Sequence, residues 1–177
     1  GGSKGYVYVA DRQNNRIQVF DQQGALIAGW KQFGQPSSVY VDKNDNIWAI
    51  DKGSDMIIRF SAAGRVEWVF GRRKESADGA EPWEHTNPPQ APQDGRYRQP
   101  TDVAWDSQGN TYITDGYVNS RVAKIDKNGD WVKSFGEPGT GPGQFRTPHA
   151  IAIDSKDNIY VGDRGNQSSP LDYHRDA

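Results

Sequence analysis

The sequence predicts an all-β fold made of repeated four-stranded antiparallel units. Three observations carry this. Apolar residues alternate with period two in short runs such as Asp102–Trp105 and Thr111–Thr114, the pattern of half-buried strands. Helical periodicity is missing, because Gly, Pro or Asn interrupts every stretch long enough to form an amphipathic helix. The pattern also repeats with fixed spacing. Pro36, Pro100 and Pro148 each head a copy, an aspartate follows six residues later (Asp42, Asp106, Asp154), and another comes nine residues after that (Asp51, Asp115, Asp163). A repeat of about 40–50 residues holding four short strands is the signature of a β-propeller blade.

The copies justify the elements in order. The first, residues 3–32, lacks its heading strand and gives strands near Tyr6–Ala10, Arg16–Phe20 and Leu26–Trp30. Its Val9-Ala10-Asp11-Arg12 stands in the register of Val161-Gly162-Asp163-Arg164 in the fourth copy. The second, residues 33–71, gives Ser38–Val41, Ile47–Ile50, Met56–Phe60 and Val66–Phe70. The third, residues 97–136, gives Asp102–Trp105, Thr111–Thr114, Val122–Ile125 and Trp131–Phe135. The fourth, residues 145–166, gives Ala150–Ile153 and Ile159–Gly162. The Asp/Asn/Gly clusters between runs are hairpin turns.

Two stretches break the pattern. Residues 72–98 hold six of the ten prolines and read as an inserted loop with no core of its own, anchored by Trp83 and His85 and opening on the basic pair Arg72 and Arg73. A loop of that length in a compact domain is usually functional or disordered, so these four residues are candidates for a binding loop. Residues 167–177 are expected to be irregular. Pro170 falls inside the expected third strand of the last copy and removes a ladder donor.

The 177 residues fit one propeller-type domain. With 21 basic and 23 acidic residues, the charge of −2 gives no nucleic-acid footprint. No apolar run approaches a membrane span, and the N-terminus carries no signal-peptide pattern. The absence of cysteine excludes disulfides, thiolate metal sites and thiol nucleophiles. Only 34% of residues are hydrophobic, yet six Trp, eight Tyr and six Phe supply enough large side chains to build a core.

The stretch from Val9 to Asp21, Val-Ala-Asp-Arg-x-Asn-Asn-Arg-Ile-Gln-Val-Phe-Asp, resembles the NHL repeat, a propeller-blade motif. The stretches PTDVAWD…YITDGYVNSRVAKI and GQFRTPHAIAID…IYVGDRGN are similar to the peptidyl-α-hydroxyglycine α-amidating lyases and their bacterial relatives. The resemblance implies a six-bladed propeller with zinc in the central channel, held by three histidines that each follow a blade-heading proline. A tyrosine in the Asp-Gly-Tyr-x-Asn-Ser-Arg motif is the implied base. Structural calcium and a secreted or periplasmic location are also implied.

Carried over residue by residue, His149 in Thr147-Pro148-His149 matches one zinc ligand, and Tyr117 matches the tyrosine. Ser37 stands where another ligand belongs, and Thr101 occupies the same place in the third copy. The resemblance therefore makes Ser37, Thr101 and His149 channel-lining residues but supplies only one imidazole. A catalytic zinc needs about three protein ligands. Without that Lewis acid, a tyrosine is a poor base at neutral pH. Two functions stay open. One is a non-enzymatic propeller module that binds a protein or peptide. The other is a zinc-dependent carbon–nitrogen lyase of the peptidylamidoglycolate type, using His149 and Tyr117 in a longer or assembled propeller. Two to four strands per copy leave blade faces and edges open, so self-association, most simply as a homodimer, is expected.

Overall fold

The computed structural model describes residues 2–73, 91–165 and 171–173. Residues 1–74 and 75–177 form two compact units. In the first unit, β1 (Val7–Asp11), β2 (Arg16–Phe20) and β3 (Leu26–Trp30) make a three-stranded antiparallel blade, blade 1. The strands β4 (Pro36–Val41), β5 (Ile47–Asp51), β6 (Met56–Phe60) and β7 (Val66–Gly71) make four-stranded blade 2. One face of each sheet forms the core, as period-two alternation requires. Ile17, Phe33, Ile47, Ala49, Ile58 and Phe60 are buried there, with Tyr8, Trp30, Val39, Val41 and Met56 packed around them. The Trp30 and Phe60 rings lie 5.2 Å apart at its centre.

The second unit repeats the scheme. Blade 3 comprises β8 (Asp102–Trp105), β9 (Thr111–Asp115), β10 (Arg121–Ile125) and β11 (Trp131–Phe135). A short parallel ladder, β12 (Glu137–Pro138) with β13 (Gln144–Phe145), closes the glycine-rich connection to blade 4. Blade 4 comprises β14 (Pro148–Ile153), β15 (Ile159–Asp163) and β16 (Leu171–Tyr173). Its core brings Ala104, Tyr112 and Val122 of blade 3 against Ile151 and Val161 of blade 4, over Phe145. Among the described residues the only helices are two single 3₁₀ turns, Arg12–Asn14 and Lys52–Ser54.

The repeated aspartates do two separate jobs. Asp42, Asp106 and Asp154 close the first hairpin of blades 2, 3 and 4 by one pattern. One carboxylate oxygen accepts the backbone N–H groups two and four residues on, and the other accepts the side-chain amide of Asn46, Asn110 or Asn158. The same second oxygen also takes Trp48 Nε1, Tyr112 Oη or Tyr160 Oη. These donors, led by Asn158, hold the Asp154 carboxyl down at about 2. A depressed carboxyl stabilises the fold above its unfolded value, near 4, and loses that contribution as pH falls through the folded value. An NMR titration of Asp154 is therefore expected to show a midpoint near 2, with the hairpin loosening between about pH 4 and 2. A midpoint near 4 would contradict it.

Asp51 and Asp163 reach back to the segment that enters their own blade. Asp51 accepts the Gly34 and Gln35 N–H groups at 2.8 and 2.7 Å, and Asp163 accepts those of Arg146 and Thr147 at 2.9 and 2.7 Å. Asp115 does the same for Arg98 at 2.8 Å. Blade 1 has no entry segment of this kind, and its Asp11 instead takes Arg16 Nε at 2.8 Å.

Two expectations need correction. The tail is not irregular throughout, because Leu171–Tyr173 adds a third strand to blade 4. Its pairing, Val161↔Leu171 and Ile159↔Tyr173, is offset by one residue from the matching Val9↔Gln18 and Val7↔Phe20 of blade 1. The strand begins only after Pro170, whose missing N–H cannot serve a ladder. The insertion, in turn, has its anchors at its C-terminal end. Tyr97 and Arg98 are buried, and the Tyr97 ring packs 6.5 Å from that of Trp131. Trp83 and His85 lie outside the described residues.

Candidate functional site

The chemistry of the second unit gathers on one loop and one strand. The loop Gly116–Ser120 joins β9 to β10 and carries Tyr117, while β14 carries His149 directly after Pro148. Tyr117 Oη and His149 Nε2 are 3.0 Å apart, and the two rings meet edge to face at 5.6 Å. The phenol donates when Nε2 is unprotonated and accepts when Nε2 carries a proton. Both side chains are half-buried. Arg164, exposed just beyond β15, places its guanidinium carbon 5.4 Å from the Tyr117 ring. Pattern reading passed over Arg164 because its copy-one counterpart, Arg12, belongs to the repeat itself.

The loop has little freedom to move. At its base, Asp115 is fully buried and accepts Asn119 Nδ2 at 2.5 Å and Arg121 Nε at 3.1 Å. Arg121, 2% exposed, also donates from Nη2 to the Gln93 and Arg96 carbonyls at 2.8 and 2.7 Å. Burial pushes the Asp115 carboxyl up, opposed by Arg121 and by the Asn119 and Arg98 hydrogen bonds. Ser120 Oγ donates to Arg146 O at 3.1 Å, tying the loop to the entry of blade 4. Gly116 lies against Pro148, where a Cβ would stand 1.8 Å from the carbonyl oxygen.

The other expected site residues fall as follows. Thr101 is 1% exposed, and its hydroxyl is engaged with Thr114 Oγ1 at 2.7 Å and Pro148 O at 2.8 Å. It ties blade 3 to the residue preceding His149. Ser37, in the first unit, donates its hydroxyl to Ile50 O at 3.1 Å. Arg72 is half-buried and Arg73 exposed. Among the described residues no three His, Asp or Glu side chains gather as a metal site. The described residues do not fit a three-ligand zinc centre, because His149 is its only ligand and its Nε2 faces Tyr117.

Comparison with known proteins places this geometry. The NHL repeat family matches residues 145–168, which overlap blade 4. Peptidyl-glycine alpha-amidating monooxygenase A of Xenopus laevis is 27% identical over 130 residues, covering 71% of this chain and 12% of that protein. A probable peptidyl-alpha-hydroxyglycine alpha-amidating lyase of Caenorhabditis elegans is 28% identical over 113 residues, covering 64% of this chain and 27% of that protein. The chain thus spans a small part of the relatives it matches. Among solved structures, a streptogramin B lyase superposes with a TM-score of 0.67 at 16% identity, covering 95% of this chain and 48% of that one. The WD40 β-propeller domain of Doa1 superposes with a TM-score of 0.65 at 12% identity, covering 94% of this chain and 46% of that one. Repeat, blade topology and neighbours together make this chain a partial β-propeller built from NHL repeats.

Proposed function

We propose that the chain is a binding module whose ligand contacts Tyr117, His149 and Arg164, and that it is not by itself a zinc lyase. The observation that supports this is the donor set. One imidazole stands where three are needed, Ser37 fills another ligand position with its hydroxyl engaged on Ile50 O, and a phenol and a guanidinium flank the imidazole. Phenol, imidazole and guanidinium offer hydrogen-bond donors and positive charge, which suits an anionic ligand. A peptide with a free C-terminal carboxylate fits, because a guanidinium fork matches a carboxylate.

Calorimetric titration with a peptide acid and its C-terminal amide tests the reading. The acid is expected to bind more tightly by about 10–100-fold, the range of one charge-assisted hydrogen bond. Arg164→Ala should remove most of that difference. Equal affinity for acid and amide would overturn it. A second reading, the lyase, draws on the 3.0 Å Tyr117–His149 contact and on the names of the relatives. Stoichiometric zinc that is lost in His149→Ala, together with amide release from an α-hydroxyglycine peptide, would replace the binding reading with this one.

A further inference from the structure

Two sheet faces of this chain are uncovered, one in each unit. In blade 1, Val7 and Val9 point away from the core that holds Tyr8 and are 49% and 41% exposed, beside Ile27 at 50%. In blade 4, Ala150, Ala152 and Tyr160 point away from the core that holds Ile151, Ile153, Ile159 and Val161, and all three are exposed, Tyr160 at 42%.

The repeat shows what each face is built to meet. Counted from Asp11 and Asp163, Val7 and Val9 occupy the positions of Ile159 and Val161, which are packed against Ala104, Tyr112 and Val122 of blade 3. Counted from Asp154 and Asp163, Ala152 and Tyr160 occupy the positions of Ala104 and Tyr112. Tyr160 even keeps the matching hydroxyl contact, to Asp154 at 3.2 Å where Tyr112 meets Asp106 at 3.3 Å. The two open faces are therefore the two halves of the blade 3–blade 4 interface, with alanine and tyrosine unchanged on one side and valine or isoleucine on the other.

We infer that a second copy of this chain covers these faces, with its blade 1 stacked on blade 4 as blade 4 stacks on blade 3. The contact continues an interface the chain already forms, and it is heterologous, face to opposite face. It rests on apolar packing alone. The internal stacks also carry a polar clamp, Ser3 with Asp45 and Ser107 with Asp157. Blade 1 has Gly5 at the position of those aspartates, in the same left-handed conformation at φ 68°, and supplies no carboxylate. The association should therefore be reversible and depend on concentration.

Sedimentation equilibrium at micromolar concentration tests this. The expected result is a mass that rises with concentration above the 19.7 kDa of one chain. Val9→Glu and Ala152→Glu change exposed side chains and should each reduce association while leaving the far-ultraviolet circular dichroism of a β protein intact. Each variant keeps one working face, and the working faces are complementary. Mixing the two should therefore restore a one-to-one heterodimer. A constant monomer mass overturns the inference, as does association that both variants leave unchanged, or a mixture that stays monomeric although each variant is folded.

Discussion

Asp115→Ala is expected to be the most destabilising single change in the second unit. It removes the acceptor of Arg98 N, Asn119 Nδ2 and Arg121 Nε together and leaves a 2%-exposed guanidinium without its counter-ion. Breaking a buried pair from one side costs about 3–5 kcal/mol. In a chain of this size that is roughly 6–20 °C in melting temperature. Replacing Asp115 and Arg121 together by apolar residues should cost less than the sum of the two single changes, because no charge is then stranded. The same substitution frees residues 93–98, since Arg121 also holds the Gln93 and Arg96 carbonyls. Thermal melts of the two single variants and the double variant measure the coupling. Simple additivity would show that the pair does not act as a unit.

Gly116→Ala is expected to act on the candidate site itself. A Cβ placed 1.8 Å from Pro148 O cannot be accommodated by a side-chain rotation, because the obstructing atom is backbone. Either the loop or the start of β14 must move, and Tyr117 sits on the first and His149 on the second. Their 3.0 Å contact should open. The stability cost of such overpacking is about 1–3 kcal/mol. The larger consequence is for the ligand, since peptide-acid binding should fall well beyond what the loss of stability explains. Binding measured far below the melting temperature separates the two effects. Unchanged affinity in a folded variant would show that the Tyr117–His149 geometry is not what the ligand reads.

Much of the fold was legible in the residue pattern. Period-two alternation and the Asp-x-x-x-Asn turns are local, with every donor and acceptor of the Asp42, Asp106 and Asp154 hairpins within six residues. That is why the strands of blades 1 to 3 fall where the pattern puts them. The offset β16 was not legible. Pro170 marks where a ladder bond is lost, but the pairing that resumes beyond it is set by the facing strand.

The candidate site divides in the same way. The sequence by itself determined that Tyr117 and His149 matter together, through their positions in two repeats. It also determined that the histidine set is one member rather than three, through Ser37 and Thr101 at the equivalent places. Tertiary structure decided the rest. Only packing brings Arg164 over the Tyr117 ring, buries Asp115 with Arg121, sets Gly116 against Pro148 O and makes Tyr97 and Arg98 the anchors of the insertion. Each of these contacts joins residues that no short-range period relates. Their partners are chosen by which blades stack and which surface is left to bury, and a repeat pattern specifies blades one at a time.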